Sequence, residues 1–410
     1  MFKAIWQQLG IASNWPVLAA VAVLAFLGSC SIWHYPRADG VKQLVFLGIA
    51  TGCMLLMQTI NYQKVGRWAW GFYIFSLGLL LYTIVPFTHV PASSQALFRV
   101  PYRGGAYAWI NMGPMSLQPA ELTKIAFILV LARYLRFRSN YRTILGLVQP
   151  FALAIVPIAL ILKQPDLGTA LTFIPVLLAM MYVAGAKLMH LVGVITMGVI
   201  VTPLLWYSGQ HIVAVEGTDQ TEICHACPDL PVIRHLPQFV KHYQRERVYA
   251  MFTDDPRTRR DKGFQQQLAL TAIGSGGVTG KGMGNFPVGM VVPEAHNDMV
   301  FSLICEQFGL FGALVVLGAY AVLVAAGIEI AAHTREPFGR LVAPGIVALI
   351  AGQAFLNLMV CMKLMPVTGV TLPFVSYGGS SLVASFMAAG LLLNIGQNRP
   401  FVVAKDSFEY

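Results

Sequence analysis

Charge is what this sequence is short of. Only 11% of its 410 residues are Asp, Glu, Lys or Arg, against roughly a quarter in soluble domains. In their place 56% of the residues are hydrophobic and the mean hydropathy is +0.64. That deficit excludes a water-soluble globular protein. Cysteine is scarce as well: of the six, Cys30, Cys53, Cys305 and Cys361 fall inside apolar runs, where a thiol is a small hydrophobe. A Walker-type phosphate loop is missing. In the glycine-rich run 274–284, Ser275 stands five residues before Gly280 where the motif needs Gly, and Gly282 follows Lys281 where it needs Ser or Thr. No compact cluster of metal ligands stands out either. The net charge of +10 does not imply nucleic acid, because Lys and Arg lie in the links between apolar runs, as membrane topology requires.

What is present is a series of apolar runs, each near the roughly 20 residues that cross a bilayer as a helix, and too many for a signal peptide plus an anchor. They cover 15–34, 41–60, 68–85, 119–135, 144–162, 167–184, 189–207, 299–326, 341–362 and 382–395. Ten spans put both termini on one side. About 12 Lys and Arg, among them Lys64, Arg133, Arg136, Arg335 and Arg340, fall on the terminal side, against about 6 in the short loops opposite. The reading is an all-α integral membrane protein of ten transmembrane helices. Both termini are cytoplasmic, and 1–410 forms a single polytopic domain with a large extracytoplasmic loop, 208–297, between helices 7 and 8.

Polar residues placed against this background carry the information. Glu294, His296 and Asp298 open the apolar segment that follows. A carboxylate costs roughly 2.5–3.5 kcal/mol at the centre of a spanning helix and much less at its mouth. Two readings stand side by side for Asn297 and Asp298: helix N-cap, and chemistry at a membrane-edge site. Glu121 and Lys124 are spaced i, i+3 on one helical face and form an expected internal ion pair facing the bundle. Asp166, in Gln164-Pro165-Asp166-Leu167-Gly168-Thr169, is placed to cap the next helix.

The glycine run reads equally as a flexible re-entry into the membrane or as a nest of N–H groups that, with Lys281, would receive an anion. Segment 366–381 is too broken by Pro and Gly for a helix and too apolar for open solvent, so it lines a cavity or is buried in protein. In the long loop, the mixed charges around Arg245 and Arg247 suit a solvated surface or an anionic headgroup site. Cys224 and Cys227, in Cys-His-Ala-Cys, suit half a metal site or, on an oxidising face, a local disulfide, which two thiols favour.

Several of these pieces together resemble one family. They are Trp109-Ile110 followed by Gln118-Pro119-Ala120-Glu121-Leu122-Thr123-Lys124; Gln164-Pro165-Asp166-Leu167-Gly168-Thr169; Arg245-Glu246-Arg247; Ile273-Gly274-Ser275-Gly276-Gly277 with Thr279-Gly280-Lys281-Gly282; Pro293-Glu294-Ala295-His296-Asn297-Asp298; and Leu372-Pro373-Phe374 with Ser376-Tyr377-Gly378-Gly379-Ser380-Ser381. In that order, and nearly end to end, the chain resembles the SEDS family (RodA, FtsW, SpoVE), which polymerises peptidoglycan glycan strands from lipid II. It departs at Ala108, where the family usually has Arg, at Asn297-Asp298-Met299 in place of Thr-Asp-Phe, and at 210–236, which looks like an insertion.

The resemblance implies a ten-helix fold in the bacterial inner membrane with its site on the extracytoplasmic face. Asp298 matches the family's essential aspartate. One general base suffices for the inversion in which an acceptor 4-hydroxyl displaces undecaprenyl pyrophosphate. Lys281, Arg245 and Arg247 would balance the diphosphate, with His296, Glu294, Ser376 and Tyr377 at the substrate and Glu121 and Lys124 shaping the cavity. A divalent cation (Mg or Mn) and a class B penicillin-binding protein are the implied cofactor and partner. A lipid II flippase and a non-catalytic scaffold are the competing readings. The enzyme is favoured because the acidic constellation lies at the outer face, whereas carriers bind at the midplane.

Overall fold

The computed structural model describes residues 11–35, 40–91, 96–102, 106–113, 115–137, 143–207 and 263–398. Helices dominate: α1 (Ile11–Trp33), α2 (Gly40–Thr59), α3 (Tyr62–Arg67), α4 (Ala69–Ile84), α5 (Pro119–Arg136), α6 (Ile144–Lys163), α7 (Leu167–Ala184), α8 (Leu188–Tyr207), α9 (Phe264–Ser275), α10 (Pro287–Val291), α11 (Val300–His333), α12 (Pro337–Cys361) and α13 (Gly379–Gln397). Between α4 and α5 lie two short strand pairs. β1 (His89–Val90) runs parallel to β2 (Val100–Pro101), and β3 (Ile110–Asn111) runs antiparallel to β4 (Ser116–Leu117). The chain divides into two compact units, Met1–Ala186 with Gln265–Tyr410, and Lys187–Phe264. α8 belongs to the second unit; all packing described below is within the first.

Every apolar run named above lies on a helix. Among the described residues seven helices, α1, α2, α6, α7, α11, α12 and α13, are long and apolar enough to cross a membrane. α4 and the stretch Leu188–Thr202 of α8 are apolar but shorter, and α5 has the length but carries Glu121, Lys124, Arg133 and Arg136. The protein is a multi-pass membrane protein. Inside the bundle α13 packs on α2, α1 on α11, and α12 on α7. Buried polar groups serve these contacts. Asn394 of α13 donates to the carbonyls of Met57, Gln58 and Ile60 and accepts from Tyr62 N, so one amide closes the exit from α2. In α6, Pro157 has no N–H to offer the carbonyl of Leu153. The Tyr73 hydroxyl of α4 donates to that carbonyl instead, at 2.6 Å.

The run 299–326 proves to be part of a longer element. α11 has 34 residues and a non-helical break at Gly309 (φ 62, ψ −154). The break divides it into a short arm, 300–308, and a longer one, 310–333, which at 1.5 Å per residue is roughly 36 Å, enough to cross the roughly 30 Å of a hydrocarbon core. The break strands groups on both sides of it, and the glycine run satisfies them. In an unbroken helix Leu310 N and Phe311 N would donate to the carbonyls of Glu306 and Gln307. Here they donate to Gly277 O (2.9 Å) and Val278 O (3.3 Å), while the vacated carbonyls accept from Lys281 N and Gly282 N, both at 3.0 Å. Only glycine fits the crossing: a Cβ on Gly309 would lie 2.4 Å from Gly280 N. The anion-nest reading of 274–284 is corrected, because the N–H groups of Lys281 and Gly282 are turned to helix carbonyls.

Candidate functional site

Asp298 ends the turn 293–298, one residue before Met299, which is the N-cap of α11 and makes no side-chain capping bond. The capping reading of Asn297 and Asp298 is therefore corrected: Asn297 donates its amide to Glu294 Oε2 at 2.7 Å, and the helix begins one residue later. The turn closes on itself through Glu294, whose carbonyl accepts from Asn297 N (2.9 Å) and Asp298 N (3.2 Å), and Glu294 adopts φ +50 to allow it.

The turn is laced to the segment between α12 and α13 largely through main-chain groups. Tyr377 N donates to His296 O at 2.9 Å. Ser376 Oγ donates to Asn297 O at 2.6 Å while accepting from Leu372 N at 2.8 Å. Asn357, on α12, donates to Asp298 O and to Val370 O, both at 2.8 Å. His296 is buried, its ring 5.0 Å from that of Tyr35 and 5.3 Å edge-on from that of Tyr377, and Tyr35 in turn donates to Val292 O. Glu294 Oε2 lies 3.8 Å from His296 Nε2. The structure thus brings Glu294, His296, Asp298, Ser376 and Tyr377 into one connected patch, with the Asp298 side chain half-buried at its rim.

A second polar group lies one loop away. Lys124 Nζ donates to Glu121 Oε1 at 2.7 Å, both side chains under a tenth exposed. Asp166 caps α7, accepting from Thr169 N (2.9 Å) and Thr169 Oγ1 (2.7 Å), and also accepts from Gln118 Nε2 at 3.2 Å. Burial pushes its carboxyl up from the usual range, against the pull of the Thr169 bonds and the charge of Lys124. The first turn of α7 reaches the Asp298 patch through residues 368–369. Gly168 sits so close to Thr368 that a Cβ there would lie 2.3 Å from its carbonyl oxygen, and the next residue, Gly369, lies against Asp298, a Cβ there falling 3.8 Å from Oδ2.

Lys281 is tied to a buried carboxylate. Its ammonium donates to Glu306 Oε1 (2.6 Å) and Ser275 Oγ (2.8 Å), and Glu306, fully buried, also accepts from Val288 N and Gly289 N in the first turn of α10. That carboxylate holds the glycine run and α10 to α11 and is the counter-charge of Lys281. Arg245 and Arg247, and Cys224 and Cys227 with the segment 210–236, lie outside the described residues. Among the described residues no group of three or more His, Cys, Asp or Glu side chains is arranged to hold a metal ion.

The family model for FtsW, RodA and SpoVE, described as a cell cycle protein, matches residues 8–400. The chain belongs to this family. Among its relatives, the "Probable peptidoglycan glycosyltransferase FtsW" of Geobacter sulfurreducens is 32% identical over 92% of this chain and 90% of its own length. Stage V sporulation protein E of Bacillus subtilis is 29% identical, covering 93% of this chain and 94% of its own length. Of solved structures, a chain described under "Structural coordination of polymerization and crosslinking by a peptidoglycan synthase complex" superposes with a TM-score of 0.74 at 28% identity, over 95% of this chain and 98% of that one. The rod shape determining protein RodA of Thermus thermophilus superposes at 0.64 and 25% identity, over 94% and 97%.

Two residues of this family member's site escaped the reading of the sequence. Glu306 had a signal, since a carboxylate seven residues inside an apolar run is expensive enough to need a partner. Asn357 had a weaker one, a buried amide in an apolar helix that also carries Gln353, and its role follows only from the position of the Asp298 turn.

Proposed function

We propose that this peptidoglycan glycosyltransferase polymerises glycan strands from lipid II by inverting transfer at the extracytoplasmic face of the bacterial inner membrane, with Asp298 as the general base. The observation that carries the reading is the half-buried Asp298 carboxylate, held at the mouth of α11 by hydrogen bonds to its main chain and backed by the buried Glu121, Lys124 and Asp166. The acceptor 4-hydroxyl oxygen forms its bond to the anomeric carbon as the bond from that carbon to pyrophosphate oxygen breaks. The hydroxyl proton passes to Asp298, and undecaprenyl pyrophosphate leaves. One carboxylate suffices because the leaving group needs no acid.

Partial removal from water favours protonation of the base, as proton acceptance requires. Lys281, which is paired with Glu306, and Arg245 and Arg247 are the candidates for the diphosphate. Ten spans, cytoplasmic termini and a class B penicillin-binding protein as transpeptidase partner complete the reading.

The test is purified chain in detergent with lipid II, product read as polymer on a gel. Wild type should make polymer and release undecaprenyl pyrophosphate with no membrane gradient present. Asp298→Asn should elute and melt like wild type yet polymerise at least roughly 100-fold more slowly, the lower range of a lost general base. Equal rates in the two would sink the base assignment. Well-folded wild type that makes no polymer beside its transpeptidase partner, but exchanges lipid II between leaflets of sealed liposomes, would establish a carrier instead.

A further inference from the structure

At the far end of α5 from Asp298 lies a cavity that the transfer reaction does not use. α5 starts beside the active patch, where Gln118 N donates to Ser380 Oγ, and its last turn lies roughly 25 Å away along the helix. There a cavity of about 630 Å³ opens between the ends of α4, α5 and α6. Its polar wall is Arg133 with Tyr134 and Gln149, which are joined by a hydrogen bond from the Tyr134 hydroxyl to Gln149 Oε1. Its apolar wall is Trp70, Leu153 and Val156.

Arg133 is the unusual feature. The guanidinium is half-buried, yet its hydrogen bond goes to a carbonyl, Gly66 O at 3.0 Å, and its other contact is the Phe137 ring. Its neighbour Arg136 has Glu336 at 3.1 Å; among the described residues no carboxylate pairs Arg133. Lys64 and Arg67, on the short helix whose Gly66 receives Arg133, add two more cations at the same end, also without a carboxylate partner among the described residues. A guanidinium withdrawn from water without a counter-charge is costly unless an anion completes it, and its planar fork matches phosphate oxygens.

The surroundings say which anion. Leu153 and Val156 continue into the exposed apolar face of α6, with Val148 and Ile155, a surface that faces hydrocarbon in a membrane protein. Exposed Trp70 and Phe137 line the opening, where aromatic side chains mark the level of lipid headgroups. A small soluble anion would use the cations but not this wall; a nucleic acid or acidic peptide would have no access to it. We infer that the cavity bounded by Arg133, Tyr134, Gln149 and the Val156 face of α6 binds the phosphate of an anionic phospholipid, with its acyl chains laid along α6. Basic pockets between spanning helices recognise anionic headgroups in this way.

The experiment is thermal denaturation of the full chain purified in a mild uncharged detergent, titrated with phosphatidylglycerol or with phosphatidylcholine of the same acyl chains. Phosphatidylglycerol should raise the midpoint and phosphatidylcholine should not. In Arg133→Gln the half-saturating amount of phosphatidylglycerol should rise roughly fivefold, the contribution of one basic side chain at an anionic membrane surface. Val156→Trp, which fills the acyl wall and leaves the Arg133 to Gly66 bond alone, should weaken the response similarly and decides the matter if Arg133→Gln fails to fold. Equal responses to the two lipids, an undiminished phosphatidylglycerol response in the folded variants, or reproduction of the shift by inorganic phosphate would each overturn the inference.

Discussion

Lys124 is predicted to be the most sensitive charged position in the bundle, and more sensitive than its own partner. At 2.7 Å and an effective dielectric near 20, the attraction to Glu121 is roughly 6 kcal/mol before desolvation. Most of that offsets the cost of withdrawing both charges from water, so the pair contributes little net stability. Deleting one member is different, because the survivor keeps its desolvation cost and loses its compensation; losses of roughly 3–5 kcal/mol follow for buried pairs. The structure adds an asymmetry, since Lys124 also acts on the buried Asp166. Lys124→Met therefore strands two carboxylates. Glu121→Gln leaves Lys124 with Asp166 as counter-charge, and Asp166 with its bonds from Thr169 and Gln118.

The expected order of apparent thermal stability in one detergent is wild type, then Glu121→Gln, then Lys124→Met, with the double variant recovering at least half the loss of Lys124→Met. Unfolding of a polytopic chain is commonly irreversible, so midpoints should be compared at a single scan rate. Two outcomes would refute the reasoning. Additive losses in the double variant would mean that the two side chains do not interact. A Glu121→Gln variant as damaged as Lys124→Met would mean that Lys124 does not serve Asp166.

Gly309→Ala should lower stability by roughly 2 kcal/mol or more, since it combines a backbone region that is nearly glycine-only with a Cβ 2.4 Å from Gly280 N. Gly318→Ala in the same helix meets nothing within 4 Å and should be neutral or gain up to about 1 kcal/mol; thermal midpoints that move together would contradict the broken-helix account. Glu306→Gln removes the charge that holds Lys281 and the start of α10, so limited proteolysis should cut faster within 276–292 while α12 and α13 stay protected. An unchanged cleavage pattern would show that Glu306 is not what anchors that segment.

What could be read in the sequence follows the range of the forces involved. A bilayer demands long uninterrupted apolar stretches, so the helical segments were legible wherever the chain is described. An i, i+3 pair and an N-cap are equally local, and Glu121 with Lys124 and Asp166 with Thr169 stand as their spacing implies. The break at Gly309 is a different kind of fact. Its stability depends on carbonyls and N–H groups some thirty residues earlier, and no window around Gly309 contains them. The glycine run was visible as a turn-former, but its partner was not, which is why an anion seemed a fitting occupant for N–H groups that the helix itself had vacated carbonyls to receive. Asn357 as clamp was hidden for the same reason: its role is set by how the turn 293–298 lies on α12 and the segment before α13.

The bonds that lay this turn down have a chemical consequence. Residue 298 is located by its own N–H on Glu294 O and its own carbonyl on Asn357, and its neighbours by His296 O on Tyr377 N and Asn297 O on Ser376 Oγ. None of these four bonds involves the carboxylate, and the helix that follows takes its cap one residue later. A general base changes charge in every catalytic cycle. Had the carboxylate been the cap of α11, each protonation would have weakened a bond that stabilises the helix start by about 1 kcal/mol. With the main chain carrying the placement, Asp298 can gain and lose a proton while those four bonds stay unchanged. Removal of the charge should then act on turnover and leave the fold in place.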